Sequence, residues 1–400
     1  MTFLLQSLAQ SPLARRFLFA GVLLTALGAI LGAFSVAGFF RSYLVAYLLW
    51  GGVVFGALIV LCMHHLSGGG WGYLVRRILE AATRTWGLVA ILFLPVILGI
   101  PSLYSWADPQ ALRANPALRD RQVYLNPTAF SVRALVFFAV FILLAVMLNR
   151  ASQRQDNDSD PALLRRLQNV GGPGLLLFVV ILSFALIDWA MSLQPEWYST
   201  VFSAMVIVGF VVSALAFAIV VLYFVADRES LAELAIPKYV LDLGNMLFTF
   251  LFLWVYMQFS QLLIIWSGNL KEEIPWYLSR LQGSWEAVTM LLALLAFAVP
   301  FGALLVRKSK RDLRSLAKLA GFVLAMRLLA TIWIVEPAFY PEGYSFQILD
   351  LLLPVGIGGI WTAAFVIELR RLPLLPTMDP RLAIVRGRMR ETRVGDITYE

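Results

Sequence analysis

The sequence predicts an all-α integral membrane protein of about ten transmembrane helices, and three observations predict it. Apolar runs of roughly 20 residues, the length a helix needs to cross a bilayer, recur along the whole chain. Sixty per cent of the 400 residues are hydrophobic and 14% charged, with a mean hydropathy of +0.80. A soluble domain carries about 25% charged residues. The third observation is charge asymmetry. With a cytoplasmic N-terminus, 24 of the 32 Lys and Arg fall on the inner side and seven on the outer, with Arg327 left in mid-membrane. A water-free bilayer core admits only helices or closed barrels, and unbroken runs of Leu, Val, Ile, Phe and Ala argue for helices.

In order, the spans are expected near 17–36, 43–63, 85–104, 129–148, 172–193, 200–225, 239–266, 284–306, 316–336 and 347–369. Arg15 and Arg16 precede the first, and Ser35-Val36-Ala37 resembles a leader cleavage site. The run is long for a leader and more spans follow at once, so a retained helix is expected. "GAILG" (28–32) and "GGVVFGAL" in the second span read as small-residue helix-packing motifs. The second span ends in "HHLSGGGWGYLVRR" (64–77), which holds both histidines of the chain. Three glycines then allow a tight turn, and "WGYLVRRILEAAT" is expected to lie in the membrane surface with Arg76 and Arg77 toward phosphates. The loops at 105–127 and 267–283 carry Pro, Trp and Tyr, that at 336–346 carries Pro, Tyr and Phe, and all three suit an interfacial belt or a docking surface.

A polar stretch after Asn149 divides the chain. Residues 1–149 are expected to form an N-terminal bundle of four spans, 150–171 a cytoplasmic linker, 172–370 a bundle of six spans, and 371–400 a basic cytoplasmic tail. The net charge of +8 then belongs to loops facing an anionic leaflet and calls for no nucleic acid.

Ionisable groups in spans cost about 2.5–3.5 kcal/mol on insertion scales when central, and function is their default reading. The candidates are Asp188, Asp242, Glu286, Arg327, Glu336 and Asp350. Glu336 and Asp350 read as interfacial or mutually paired, and Arg327 needs a carboxylate, with Asp188 or Glu286 foremost. Asp242, Asn245 and Thr249 share one helix face, a polar stripe expected to turn away from lipid. A proton path is one reading: His64, His65 and Asp242 at the inner side, Arg327 in the middle, Asp188 and Glu286 outside. Static helix-gluing ion pairs are the other.

The adjacent histidines point about 100° apart on a helix, so they cannot clamp one haem iron. One cysteine, Cys62, excludes a disulfide framework and a cysteine-ligated cluster. No nucleotide-binding or catalytic-triad pattern is present. A stand-alone transporter is disfavoured by the uneven four-plus-six division and by the lack of paired broken helices.

The stretches "HHLSGGGWGYLVRRILEA" and "DWAMSLQPEWYSTVFS", with the ten-helix plan, resemble the F-type membrane subunits of bacterial alternative complex III, a quinol:electron-acceptor oxidoreductase. These belong to the polysulfide reductase/NrfD-like subunits, and the resemblance covers nearly the whole chain. It implies two four-helix bundles plus two extra spans in the bacterial cytoplasmic membrane, with both termini cytoplasmic. It implies as partners a paralogous NrfD-like membrane subunit, a periplasmic iron–sulfur protein and multihaem cytochrome c subunits, which carry the haem c and iron–sulfur clusters. For this chain it implies no redox cofactor, no catalytic or metal-binding residue, and a proton-conducting or structural role. The quinol site is expected in the paralogue, with a quinone-binding role here as the alternative.

Overall fold

A computed structural model describes residues 11–227, 229–376 and 378–387; most of the basic "RGRMRETR" tail lies outside the described residues. The described regular elements are all helical. In chain order they include α1 (Pro12–Gly32), α2 (Val36–Ser67), α3 (Gly70–Thr83), the interrupted α4 (Trp86–Leu98), α5 (Pro127–Arg154) and α6 (Pro161–Trp189). They continue with α7 (Thr200–Val225), α8 (Pro237–Gly268), α9 (Ile274–Leu281), α10 (Ser284–Leu305), α11 (Leu313–Val335) and α12 (Leu349–Leu369). Among the described residues nine helices are long and apolar enough to cross a membrane, and α3 with α4, bent by 42°, makes a tenth if the pair is one span. The chain is an all-α multi-pass membrane protein.

Local chemistry sets the helix starts. The side chains of Ser11, Ser35, Asn126, Asp160, Ser199 and Asp312 each accept from a backbone N–H in the first turn, satisfying donors that a helix leaves open. Proline fills the first turn of α1, α5, α6 and α8, where its missing N–H costs nothing.

Burial sorts the helices. In α2 the apolar window is 94% buried and in α7 83%, against 17% in α1 and 22% in α8. Thus α2 and α7 form the centre, while α1 and α8 leave most of their apolar residues exposed on the outside of the bundle. Gly52 and Gly56 let α7 close on α2: a Cβ at Gly56 would stand 2.0 Å from the Phe210 carbonyl oxygen. Gly28 packs on Leu353 of α12 and Gly32 on Phe39, so both small-residue motifs lie at contacts.

The expected continuous third span is broken. Residues 86–91, 94–98 and 100–103 form separate short helices. Pro95 and Pro101 lack the N–H that would continue the ladder across each junction. The eighth span is irregular too, with a π-helical stretch at Leu292–Ala298 just before Pro300. The sequence expectation of a continuous third span is thus corrected.

Candidate functional site: buried charges at both ends of the bundle

The chain turns alternately at two ends of the bundle. One, which we call the basic end, carries the α2–α3 turn, the α5–α6 linker and the segment after α12. At Gly68 and Gly69, φ is +68° and +98°, so the backbone leaves α2 through a region that only glycine adopts cheaply. The next glycines make room: a Cβ at Gly70 would stand 2.2 Å from the Tyr239 ring, and one at Gly72 1.8 Å from Nδ1 of His64. Helix α3 therefore folds back against the end of α2.

That folding overturns the expected surface position of α3. Arg76 is 0% and Arg77 3% exposed, and their heads meet carboxylates of the protein rather than phosphates. Arg76 Nε lies 2.9 Å from Glu80 Oε1 and its Nη1 2.7 Å from Asp379 Oδ2. Its Nη2 donates to Ser152 Oγ at 2.8 Å and Gln155 Oε1 at 2.6 Å. Arg77 Nη1 lies 2.6 Å from Glu80 Oε2, and its Nη2 pairs with Asp156. Arg84 reaches Glu80 at 3.2 Å, and the Ser152 hydroxyl donates to Glu80. With Arg381 Nε 3.6 Å from Asp379 Oδ1, four arginines face three carboxylates, so each buried charge has an opposite one beside it. Burial pushes the Asp379 carboxyl up, but Arg76 and Arg381 outweigh it and hold it below the usual carboxylate range. At the half-buried Asp156, burial prevails over Arg77 and raises the carboxyl.

His64 and His65 lie beside this network, both 0% exposed. The His64 ring meets Trp71 and Tyr73 edge-on at centroid distances of 5.5 and 5.2 Å. Among the described residues no group hydrogen-bonds any of the four ring nitrogens, and Arg381 donates to the His65 carbonyl at 3.4 Å. The histidines are packed into the end of the bundle, with the segment containing Asp379 and Arg381 over them.

At the opposite end, Asp188 is 0% exposed and takes a two-point contact from Arg133, Nε to Oδ2 at 2.7 Å and Nη2 to Oδ1 at 3.2 Å. Arg133 also donates to the Tyr124 carbonyl at 2.8 Å and stands 3.8 Å over its ring. Burial and then the Asp188 charge push the Tyr124 phenol up to about 12. Glu336 and Asp350 are buried and joined through Arg41, at 2.7 and 3.3 Å. Ser42 and the Gln347 N–H complete the Asp350 site at 2.5 and 3.0 Å. Arg280 has carbonyls instead of a carboxylate, those of Trp276, Trp333 and Ile334 at 2.7, 3.2 and 2.9 Å. Two of these are in the last turn of α11, where a cation meets the negative end of the helix.

Arg327 differs from all of these. It is 4% exposed, about 12 Å from the end of α11 at 1.5 Å per residue, and makes no ion pair among the described residues. Its guanidinium lies 4.8 Å over the Trp254 ring, and Nε and Nη1 have no hydrogen-bond partner. The expected carboxylate partners are elsewhere: Asp188 is held by Arg133, and Glu286 is exposed on the outer face of α10. Asp242 is half-buried, while Asn245 and Thr249 are exposed, so the stripe on α8 faces outward, not away from lipid. Among the described residues no hydrogen bond links Asp242, Arg327, Asp188 and Glu286 to one another.

Sequence reasoning did not single out Arg41, Glu80, Arg280 or Asp379. Glu80 stands four residues after Arg76 and three after Arg77, a spacing that signals pairing on one helix face. Nothing in the sequence marks Asp379, whose partner is 303 residues away. The chain matches no protein-family model and no curated protein sequence.

Proposed function

We propose that this chain is an integral membrane subunit of a quinol-oxidising respiratory complex, similar to the F-type subunits of alternative complex III. It holds no redox group of its own. It lies in the bacterial cytoplasmic membrane with both termini in the cytoplasm, beside an NrfD-like paralogue. A periplasmic iron–sulfur protein and multihaem cytochromes c complete the electron path. The two stretches at 64–81 and 188–203 support this reading, and the observation that carries it furthest is structural. Both stretches contribute buried ionisable groups, His64, His65, Arg76 and Glu80 at one end and Asp188 at the other, within a multi-pass helical bundle.

The role in the complex is structural support and a proton path. The path begins at His64 and His65, passes the unpaired Arg327 and leaves by Asp188 and Arg133. Asp242 and Glu286, half-buried and exposed, hold its margins. The test is the proton-to-electron stoichiometry of the assembled complex. Asp188→Asn lowers it, whereas an unchanged stoichiometry with normal assembly leaves only the structural role.

A further inference from the structure

The turn between α10 and α11 concentrates six cations, Arg307, Lys308, Lys310, Arg311, Arg314 and Lys318. By the alternation of the spans it lies at the basic end. The arginines of α3 at that end are matched by carboxylates, but these six make no ion pair or side-chain hydrogen bond among the described residues. The one acid of the stretch, Asp312, accepts from the Ser315 N–H at 2.8 Å and starts α11. Asp242 on α8 stands one turn after Lys238 and makes no ion pair with the cluster.

The other five are exposed, whereas Lys310 is only 9% exposed. The short helix Arg307–Arg311 lies against α8, where Gly244 leaves a notch: a Cβ there would stand 2.9 Å from Lys310 Cβ. The Lys310 ammonium is thereby held 5.1 Å over the Phe248 ring. From Phe248 to Gly268 α8 runs about 30 Å, the thickness of a hydrocarbon core, so Lys310 sits at the depth of lipid headgroups. Farther into the span, four rings make one slab on the outside of the bundle. Phe301 of α10 stands 5.2 Å from Phe248, 6.1 Å from Phe252 and 5.0 Å from Phe297. The slab is open: Phe252 is 51% exposed, and a Cβ at Gly302 would meet nothing within 4 Å.

We infer that Lys310, Phe248 and Phe301 form the cradle of one anionic phospholipid at the basic end. Its phosphodiester meets Lys310 and the exposed cations around it, and its acyl chains lie along the phenylalanine slab. Charge complementarity selects the headgroup, since the cations are unpaired and only Asp312, already engaged, competes for them. Continuity selects a lipid rather than a soluble phosphate or a nucleic acid, because the cations border an apolar face that acyl chains cover. The inside-positive bias of membrane loops places cations at a surface but fixes none of them. Lys310 is fixed between a glycine notch and an aromatic ring, so its ordering cost is met before lipid arrives. The inference concerns the chain by itself and is independent of the respiratory partnership proposed above.

The experiment uses the full chain in mild detergent with equal amounts of phosphatidylglycerol and phosphatidylcholine of the same acyl chains, read by native mass spectrometry. Wild type retains one phosphatidylglycerol about tenfold over phosphatidylcholine. Lys310→Gln lowers that preference about fivefold, as does Arg307→Gln, each the loss of one cation at the surface. Phe252→Ala, on the open slab, lowers retention about threefold through lost apolar contact. Arg165→Gln/Arg166→Gln removes two exposed cations from the same end and leaves the preference unchanged. Burial of Cys62 against a thiol reagent reports that each variant is folded. If Lys310→Gln does not fold, Arg307→Gln and Phe252→Ala carry the test. Equal retention of the two lipids by wild type overturns the inference. So does an equal loss in Arg165→Gln/Arg166→Gln, which assigns the preference to overall charge. Displacement by soluble glycerol 1-phosphate also overturns it, since the site would then bind phosphate without acyl chains.

Discussion

Arg76 and Asp379 are joined at 2.7 Å although 303 residues separate them, and neither side chain has any solvent exposure. This pair ties the segment after the last span to the helix that follows the two histidines. Breaking a buried pair by removing one partner costs about 3–5 kcal/mol, because an uncompensated charge is left behind. Asp379→Asn is therefore expected to lower the melting temperature by several degrees. Reactivity of the buried Cys62 with a thiol dye, followed against temperature, reads this directly. An unchanged transition would mean that the tail contributes nothing to the fold.

The same pair gives a pH dependence with a definite sign. The folded Asp379 carboxyl lies below its ordinary value, so its contribution is complete above about pH 4 and is lost as pH falls through the folded value. Wild type and Asp379→Asn should differ in stability at pH 7 and converge in the acid range below pH 4. A gap that instead closes toward alkaline pH would contradict the assignment.

Gly72 and Gly87 make a matched test of close packing. A Cβ at Gly72 would stand 1.8 Å from His64 Nδ1, while one at Gly87 meets nothing within 4 Å. Gly72→Ala is expected to destabilise by about 1–3 kcal/mol, as overpacking does. Gly87→Ala should be neutral or stabilising by roughly 0.4–1 kcal/mol, through loss of unfolded-state entropy. Equal melting temperatures for the two variants would refute the fit of α3 against His64.

Asp188 serves both stability and the proposed path, and a double substitution separates the two. Asp188→Asn alone leaves the Arg133 guanidinium facing a neutral amide, with a cost near the low end of about 3–5 kcal/mol, since Arg133 is 20% exposed. Adding Arg133→Gln should restore part of that stability without restoring proton translocation. Recovery of both together would make Asp188 a structural residue only.

Much of the fold was legible because hydrophobic length reports bilayer thickness directly, as at α7, where the expected 200–225 matches Thr200–Val225. The third span was not, because Pro95 and Pro101 interrupt a run that still reads as continuously apolar. For the charges, composition says that a buried ion needs a partner but not which one. Arg133 lay in the sequence as an outer-end cation, yet only tertiary packing sets it against Asp188. Helix α3 shows the same limit, since an amphipathic pattern looks alike whether its polar face meets phosphates or the carboxylates of Glu80, Asp156 and Asp379.

The most direct test of the proposed function is isolation from native membranes in mild detergent, with mass spectrometry of the partners and a visible spectrum. The account predicts a coloured assembly containing multihaem cytochromes c, an iron–sulfur protein and a second polytopic subunit similar to this one. A colourless protein that purifies alone would contradict it and favour a stand-alone transporter.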